Sequence, residues 1–334
     1  MTDQALSTSA VIAGDRRALG DSSALVTHVR RLFADVFQAP VGSDDDFFDL
    51  GGDSLAGETL LVAFEHEFSV ALPLSVLLEA STPRALARAI VAKRQSDYRG
   101  ILVPVNAKGS GTPLFCTHGL TGTATFSRKI RKVFPDRPIY ALRSPGLLPG
   151  ETPFVSFTEM ARRYVEEIRT VRPSGPYLIF GQCGPANVAY EVAQQLLEAG
   201  ETVSGLILAD PDFRPSRSKI VRSYYQQKGR GALRLAEQNP GLSGTARWRR
   251  IVRQAMHAAM GTYEPRPYRG KALVVVSSQH AGRMLDARLG YPALIADIET
   301  VVVEGRHRDV FGGMTRDAPG ALALAMSSFL DRHP

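Results

Sequence analysis

The feature that most constrains this chain is the segment 181–185, Gly-Gln-Cys-Gly-Pro, because the patterns on its two sides differ. An unbroken apolar run at 177–180 precedes it and predicts a buried strand. Residues 186–197 follow it with the spacing of a helix. A strand joined to a helix by such a short turn lifts the side chain at the apex, that of Cys183, clear of the sheet.

A turn of this kind is a nucleophile elbow, and its usual sequence is Gly-x-Ser-x-Gly. Here Cys183 stands at the serine position and Pro185 at the last glycine position. Many cysteines are simply buried core residues, and Cys116, in the middle of a predicted strand, fits that interpretation. The apex position of Cys183 indicates a reactive thiol instead. The sequence therefore predicts an enzyme that transfers acyl groups through Cys183.

Composition and length favour a soluble globular protein with room for two domains, since 44% of the 334 residues are hydrophobic and 22% are charged. No apolar run approaches the ~18–20 residues that span a bilayer. Residues 1–21 lack the apolar core of a signal peptide, so we expect a disordered tail there. The two cysteines form no disulfide framework. We expect a cytoplasmic location, because a reducing compartment keeps a working thiol reduced.

The net charge of +7 is unevenly distributed along the chain. Residues 41–53 are rich in aspartate, whereas residues 214–253 hold many arginines and lysines against a single acid, Glu237. No helix-turn-helix, zinc or RNP pattern supports nucleic-acid binding by this basic stretch. A basic surface that faces an acidic partner protein or a phosphorylated arm fits better. A solvated helical face is the plain alternative.

Residues 22–97 predict a small helical domain. Helical spacing covers 24–37, a second helix runs from Ser54 to about residue 68, and a last helix runs from Pro83 to about residue 94. The string 45–55, Asp-Asp-Phe-Phe-Asp-Leu-Gly-Gly-Asp-Ser-Leu, lies between the first two helices. A serine hydroxyl at the start of a helix, after two glycines and an acid, is exposed and approachable. The alternative is that Ser54 merely caps its helix.

The string 45–55 resembles the prosthetic-group motif of acyl and peptidyl carrier domains. The resemblance implies that Ser54 carries a covalent 4′-phosphopantetheine arm, attached by a phosphopantetheinyl transferase. It also implies upstream assembly-line proteins that load the arm, because this sequence has no condensation or adenylation motif. We therefore expect a carrier domain at 22–97.

Residues 98–334 alternate short apolar runs with helical patterns, after a broken stretch in which 101–105 alternates only weakly. The predicted strands lie at 114–117, 139–141, 177–180, 206–209, 272–276 and 301–303. The helical patterns lie at about 123–134, 155–171, 186–199 and 316–331. Unbroken apolar runs are typical of buried parallel strands. The sequence thus predicts an α/β domain with a mostly parallel sheet and helices on both faces.

The order of these motifs resembles the α/β-hydrolase type I thioesterases that end nonribosomal peptide and polyketide assembly lines, here with cysteine in place of the serine nucleophile. Residues 113–119 look like that family's first strand and oxyanion loop, and residues 263–270 look like its return from the lid. The strand–helix alternation is interrupted at about 211–262, where the family inserts a helical lid. The two resemblances together cover nearly the whole chain.

A catalytic histidine and its orienting acid are expected after the nucleophile in the chain. His307 follows the last predicted strand, in a loop similar to the family's histidine loop, and we assign it as general base and acid. His280, after the preceding strand, is the second candidate. The resembled thioesterases carry the acid one strand earlier than many hydrolases do, which implies Asp210, with Asp212 as the alternative. An aspartate that only caps a strand end is the plain interpretation.

The oxyanion of the tetrahedral intermediate needs backbone N–H donors. One is expected from Gly184, which follows the nucleophile, and the other from Leu120, in the loop after the first strand. Pro185 has no N–H, but the substitution leaves the Gly184 donor in place. The resemblance implies that His118 packs the oxyanion loop. No metal is expected.

The cysteine changes the energetics of acyl transfer. Transfer from a pantetheine thiol to a serine makes an oxoester and runs downhill, whereas transfer to Cys183 exchanges one thioester for another. Aminolysis, ring closure and transfer to a thiol then compete better with hydrolysis. The first hypothesis is a carrier–thioesterase didomain of natural-product biosynthesis. In it, an acyl or peptidyl group passes from the arm on Ser54 to Cys183 and is released by hydrolysis, cyclisation or aminolysis.

Two other hypotheses remain open. The same machinery could shuttle an aminoacyl or acyl group to a second carrier protein, and such an enzyme needs that carrier for turnover. A non-catalytic scaffold that only docks carriers is the third, and it requires a missing member of the catalytic triad. Neither nucleic acid nor a membrane is expected as a partner.

Overall fold

The computed structural model describes residues 22–68, 72–92, 100–148, 150–211, 219–242, 244–288 and 290–333. The chain divides into two compact units, Met1–Arg99 and Gly100–Pro334. The tail predicted at 1–21 lies outside the described residues. No helix in the described ranges is long and apolar enough to cross a membrane.

The described part of the N-terminal unit is helical, with α1 (Ser22–Phe37), α2 (Ser54–Phe68), α3 (Val76–Glu79) and α4 (Pro83–Ala92). The sequence predicts α1, α2 and α4. The sequence did not predict α3, because a single helical turn is too short to show a period. Phe33 and Phe47 are fully buried, and their rings meet edge to face with centroids 6.1 Å apart. This contact fixes the acidic loop between α1 and α2 to the core of the unit.

A seven-stranded sheet organises the C-terminal unit, in the order β1-β3-β2-β4-β5-β6-β7. Strand β1 runs antiparallel to β3, and the other neighbouring pairs are parallel. The mostly parallel sheet confirms the predicted fold class. The strands are β1 (Leu102–Asn106), β2 (Leu114–Thr117), β3 (Ile139–Leu142), β4 (Tyr177–Gln182), β5 (Val203–Ala209), β6 (Tyr268–Ser277) and β7 (Ile295–Val303).

The sequence did not predict β1 as a strand. It lies at the edge of the sheet and contains Pro104, which cannot donate a ladder hydrogen bond. Only Val103 and Val105 of this strand are buried. An edge strand with two inward side chains therefore gave a weak alternation instead of an apolar run.

Outside the segment between β5 and β6, the helices of this unit are α5 (Phe126–Val133), α6 (Phe157–Val171), α7 (Ala186–Glu198), α11 (Ser278–Met284), α12 (His307–Val310) and α13 (Ala321–Arg332), with a 3-10 turn at Tyr291–Ala293. The predicted helix at 316–331 begins later, because Gly320 is the N-cap of α13. The short α11 and α12 were not predicted. Helix α11 follows β6 directly, α12 begins after a three-residue loop that follows β7, and the two helices carry the two histidines considered below.

The described residues between β5 and β6 are largely helical. It contains α8 (Lys219–Gln238), α9 (Gly244–Arg247), a π-helical turn (Trp248–Val252) and α10 (Arg253–Thr262). We call the described residues 219–242 and 244–262 the lid segment. Helices α8 and α10 pack against each other, and Ala255, Met256 and Ala259 of α10 are buried.

The sequence led us to expect the basic residues of 214–253 at the surface, and this expectation is wrong for Arg247. Its side chain is only 1% exposed. Its Nε donates to the Gly146 carbonyl at 2.6 Å, and Nη1 donates to the Asn239 carbonyl at 3.0 Å. Nη2 donates to the Glu151 carbonyl. A planar guanidinium can satisfy several carbonyls at once, so this arginine ties the lid segment to the loop after β3.

Other basic residues of the lid segment do lie at the surface. Arg222 forms an ion pair with Glu264, and the ammonium of Lys228 lies 4.8 Å from the centre of the Tyr224 ring. Arg230 and Arg234 are exposed. An acidic partner for this surface stays a prediction.

Candidate active site

The predicted strand, turn and helix are present around Cys183. Strand β4 ends at Gln182 and α7 begins at Ala186. Cys183 has a φ of 58°, which lies in the left-handed region that side chains other than glycine rarely adopt. Pro185 is the N-cap of α7 with a φ of −69°, so the proline ring fits the helix start. The strained backbone is typical of functional turns.

Small residues let the helix approach the strand at this elbow. A Cβ added to Gly181 would lie 2.6 Å from the Cβ of Ala189 and 3.0 Å from the Cα of Ala186. The close approach thus occurs at Gly181, before the nucleophile. The glycine that is usual at position 185 is not required for it, and Pro185 is accommodated.

Three of the residues singled out in the sequence lie together at the carboxyl ends of the strands. The Sγ of Cys183 is 3.1 Å from Nε2 of His307. The other ring nitrogen of His307, Nδ1, donates to Oδ2 of Asp210. Asp210 directly follows β5, and His307 is the first residue of α12 after β7. Neighbouring parallel strands end at the same edge of a sheet, so residues distant in the chain meet there.

Asp210 is fully buried and has a φ of 42°. Its Oδ1 accepts hydrogen bonds from the backbone N of Ser277 at 2.7 Å and from the Ser277 hydroxyl at 3.0 Å. Burial by itself would raise the pKa of this carboxyl, but the hydrogen bonds from His307 and Ser277 outweigh burial and lower the pKa. Asp210 therefore holds a negative charge against the imidazole. The alternative acid, Asp212, lies outside the described residues.

His307 responds to that charge. The hydrogen bond to Asp210, followed by the one to Cys183, raises its pKa from 6.5 to about 10 against the opposing effect of burial. The imidazole therefore retains a second proton at neutral pH. Phe311 packs edge to face on the ring with centroids 5.0 Å apart, which restricts its rotation.

Sequence reasoning missed two further contacts of Asp210. Ser277 was passed over, and His280 was considered only as a second candidate for the base. Nδ1 of His280 lies 3.0 Å from Oδ2 of Asp210, whereas Cys183 has His307 as its partner. Ser277 is the last residue of β6, and His280 lies three residues later in α11. Strand β6 neighbours β5 in the sheet. Knowledge that β6 lies next to β5 would have indicated that residues at the end of β6 can contact Asp210.

Asp210, His280 and His307 also form a set of potential metal ligands within the described residues, with ligand atoms within 4.8 Å of one another. Both imidazoles approach the same oxygen, Oδ2, at hydrogen-bond distance. Two ring N–H donors to one carboxylate account for these contacts fully. The arrangement supports proton transfer without a cation.

The two expected oxyanion donors, Gly184 and Leu120, lie in the elbow and in the loop after β2. The N–H of Cys183 donates to the Ala209 carbonyl at 2.9 Å, so it is engaged in the sheet. The N–H of Gly184 comes next in the turn, and a Cβ at Gly184 would lie 2.4 Å from Cε of Met260 in α10. Leu120 lies in the loop after β2 and is 36% exposed. The donor roles of Gly184 and Leu120 stay predictions.

His118 and Cys116 have the environments of packing residues. His118 is fully buried, and its Nδ1 donates to the Gly119 carbonyl at 2.8 Å. Burial lowers the pKa of His118 to about 4, so the ring stays neutral. Burial raises the pKa of the Cys116 thiol, which makes that thiol unreactive.

Ser54 is the first residue of α2 and is partly buried. The carboxylate of Asp53 caps this helix, because its Oδ1 accepts from the N–H groups of Leu55 and Ala56, both at 2.9 Å. The helix therefore has a cap that does not need the Ser54 hydroxyl. A Cβ at Gly52 would lie 2.3 Å from the ring of Phe47, so position 52 requires a glycine. The N-terminus of α2 favours a negative phosphate, and the site fits a phosphodiester-linked arm.

A mostly parallel sheet, a strained nucleophile turn after β4, an acid after β5 and a histidine after the last strand together define an α/β-hydrolase. Comparison with known proteins narrows this class. Residues 112–231 match the family model of the thioesterase domain. Residues 27–90 match the model of the phosphopantetheine attachment site.

Several curated proteins are similar to parts of this chain. Indigoidine synthase of Dickeya dadantii is 37% identical over 179 residues, which cover 53% of this chain and 12% of that protein. Dimodular nonribosomal peptide synthase of Bacillus subtilis is 35% identical over 181 residues, covering 54% of this chain and 8% of that protein. The chain thus spans only a small part of the length of these relatives.

Solved structures agree with the fold. The NocB thioesterase domain from the nocardicin cluster superposes with a TM-score of 0.52 at 26% identity, over 69% of this chain and 99% of that one. A four-domain nonribosomal peptide synthetase superposes with a TM-score of 0.56 at 21% identity, over 91% of this chain and 26% of that one. The chain thus combines a phosphopantetheine-bearing carrier domain with a thioesterase domain that follows it.

Proposed function

We propose that this protein releases an acyl or peptidyl group from its carrier domain through a covalent thioester on Cys183. The observation that carries the proposal is the relay from the Cys183 sulfur to His307, at 3.1 Å, and on to the buried carboxylate of Asp210. When bound on Ser54, the phosphopantetheine arm supplies a terminal thiol that holds the acyl group as a thioester.

In the first half-reaction the sulfur of Cys183 attacks the carbonyl carbon of an acyl thioester. Nε2 of His307 carries a proton, in keeping with the raised pKa of that imidazole, and lies 3.1 Å from the sulfur. The N–H groups of Gly184 and Leu120 donate to the oxyanion. As the carbon–sulfur bond to the leaving thiol breaks, His307 returns the proton to that thiol. Asp210 stays ionised and stabilises the imidazolium through Nδ1.

In the second half-reaction a nucleophile attacks the thioester on Cys183. His307 takes the proton of that nucleophile at Nε2 as the bond from the carbonyl carbon to the Cys183 sulfur breaks, which restores the protonated imidazole. Water gives a free acid, a hydroxyl or amine of the same chain gives a ring, and an external amine gives an amide. A thioester keeps the acyl group activated, which favours amines and ring closure over water.

The same cysteine also supports the second hypothesis, transfer to the thiol of another carrier protein, because that step exchanges one thioester for another. The third hypothesis, a docking scaffold, needs a missing triad member. Cys183, His307 and Asp210 all lie within bonding distance of their partners, which disfavours it.

The biological setting follows from the relatives. Their names describe synthases and a nonribosomal peptide synthase, so we place this chain in natural-product biosynthesis. Its partners are then a phosphopantetheinyl transferase, which modifies Ser54, and upstream proteins that load the arm. A second carrier joins them if the group is shuttled.

A thioester probe tests the proposal without knowledge of the natural substrate. Thiol release from an acyl N-acetylcysteamine thioester is compared among the wild type, Cys183→Ala, His307→Ala and Cys116→Ala. We expect turnover to be lost in the first two variants and retained in Cys116→Ala, because only Cys183 lies beside a histidine. Undiminished turnover by Cys183→Ala would show that the thiol takes no part.

A further inference from the structure

The strand order places a second histidine between the acid and the base of the triad. Asp210 follows β5, His280 lies in α11 directly after β6, and His307 begins α12 after β7. In the sheet, β6 lies between β5 and β7. The connection after β6 therefore reaches the Asp210 carboxylate from the side next to His307.

All hydrogen-bond contacts of the Asp210 carboxylate described above come from groups that can donate. Oδ1 accepts from the N–H and the hydroxyl of Ser277. Oδ2 accepts from Nδ1 of His307 and from Nδ1 of His280, the latter at 3.0 Å. An ionised carboxylate can only accept. Both imidazoles therefore carry a hydrogen on Nδ1, and His280 has the tautomer that supports Asp210.

We propose that His280 is a positioning residue for acyl transfer, because its Nδ1–H holds Oδ2 of Asp210 in the orientation that His307 needs. The inference rests on the proposed function. Without His280, Ser277 would still hold Oδ1, but His307 alone would hold Oδ2. The side chain of His280 is 20% exposed, so water would reach the vacated position and compete for Oδ2. The carboxylate would then follow the imidazole less closely during the reaction.

Two other roles for His280 give different outcomes. As a spare general base, His280 would have to reach the Cys183 sulfur. That sulfur is hydrogen-bonded to His307, and the centroids of the two histidine rings are 6.1 Å apart. As a packing residue it would need only its ring shape. Two variants distinguish these roles from positioning. One keeps the hydrogen-bond donor without the ring, and the other keeps a ring without the donor.

The test uses the full chain with His280→Asn, whose side-chain nitrogen takes the place of Nδ1, and His280→Phe, which keeps a ring and removes the donor. The readout is thiol release from an acyl N-acetylcysteamine thioester. We expect His280→Phe to lower kcat about tenfold with KM unchanged, the usual loss for one hydrogen bond to a charged group. We expect His280→Asn to retain most of the rate. Gln279→Ala, an exposed neighbour in α11, is the matched control.

A faster His280→Phe than His280→Asn would indicate packing and overturn the proposal, as would wild-type kcat in both variants. If His307→Ala retained activity and the double variant His307→Ala/His280→Phe lost it, His280 would be a spare base. That result would also overturn the proposal. Should His280→Phe not fold, His280→Gln replaces it, because its amide nitrogen lies at the outer ring position. Equal rates for His280→Asn and His280→Gln would then contradict the inference.

The same assay separates this inference from the proposed function. Full turnover by Cys183→Ala and His307→Ala would refute the proposed function itself. Loss of turnover in those two variants, together with a fully active His280→Phe, would refute only the role of His280. A second readout is the far-downfield proton NMR signal of the His307 Nδ1–H. We expect this signal to move in His280→Phe and to return in His280→Asn.

Discussion

At the scale of single residues, the proposed acyl intermediate would owe its reactivity to the sulfur atom of Cys183 at the apex of the elbow. A serine would hold the acyl group as an oxoester, which is less activated than the thioester on Cys183. The backbone at position 183, with a φ of 58°, presents either side chain at the same place. Replacement of the Cys183 sulfur by a serine oxygen thus changes the reactivity of the acyl intermediate and leaves its position unchanged.

We expect Cys183→Ser to shift release away from amines and toward slow hydrolysis, because an oxoester reacts less readily with amines than a thioester does. Product analysis with an acyl N-acetylcysteamine thioester and a competing primary amine measures the ratio of amide to acid. The ratio should fall several-fold in Cys183→Ser. An unchanged ratio would mean that sulfur does not select the nucleophile.

The pKa of His307 depends on its neighbour Asp210. Their hydrogen bond is the largest cause of the raised pKa of about 10. Asp210→Asn removes the negative charge, so the pKa of His307 should fall from that value toward 6.5, and kcat should fall by roughly three to four orders of magnitude. An NMR titration of the His307 ring in both proteins measures the first effect. A His307 that titrates equally in the two would contradict the assigned relay.

The local strand–turn–helix pattern predicted Cys183, and the order of the strands together with the resemblance to thioesterases added His307 and Asp210. The sequence did not predict the contacts of Ser277 and His280 with Asp210. Those contacts depend on which strands are neighbours, and β5, β6 and β7 become neighbours only through the folded sheet. Contacts between residues far apart in the sequence produce no periodic pattern of hydrophobic residues that could reveal them.

At the scale of elements, the lid segment contacts the nucleophile elbow directly. A Cβ at Gly184 would lie 2.4 Å from Cε of Met260 in α10. Gly184→Ala should therefore force the flexible Met260 side chain into another rotamer and lower kcat/KM modestly. Met260→Ala introduced into that variant should restore part of the loss, with a coupling energy of about 1–2 kcal/mol. Independent effects of the two substitutions on kcat/KM would contradict a contact between lid and elbow.

Arg247 gives the lid segment a buried anchor. Arg247→Ala would leave the carbonyls of Gly146, Asn239 and Glu151 without this donor. We expect the free energy of unfolding to fall by about 2–4 kcal/mol. Denaturant unfolding measures it, with the exposed Arg230→Ala as the matched control. Equal stability of the two variants would show that the basic stretch acts only as a surface.

The accuracy of the sequence-based predictions differs among the elements. Strands β2 and β4 are buried along their whole length, and their apolar runs predicted them closely. The edge strand β1 and the short helices α3, α11 and α12 gave no such signal. Their formation depends on neighbouring strands and on loop contacts more than on their own residues.

At the scale of the whole molecule, the chain consists of two compact units that divide at Arg99 and Gly100. Each has its own buried hydrophobic cluster. Residues 100–334 expressed alone should therefore fold and release thiol from an acyl N-acetylcysteamine thioester at nearly the rate of the full chain. Cys183→Ala in the same fragment is the control. A fragment that folds but is inactive would show that the catalytic site needs the carrier unit.

The central claim is that an acyl group passes from Ser54 to Cys183. Intact-protein mass spectrometry tests it most directly, on phosphopantetheinylated protein loaded with a simple aminoacyl group. We compare the wild type with Cys183→Ala and Ser54→Ala. The account predicts an adduct on Cys183 in the wild type, retention on the Ser54 arm in Cys183→Ala and no loading in Ser54→Ala. An acyl group that never appears on Cys183, and that leaves the arm equally fast in Cys183→Ala, would contradict it.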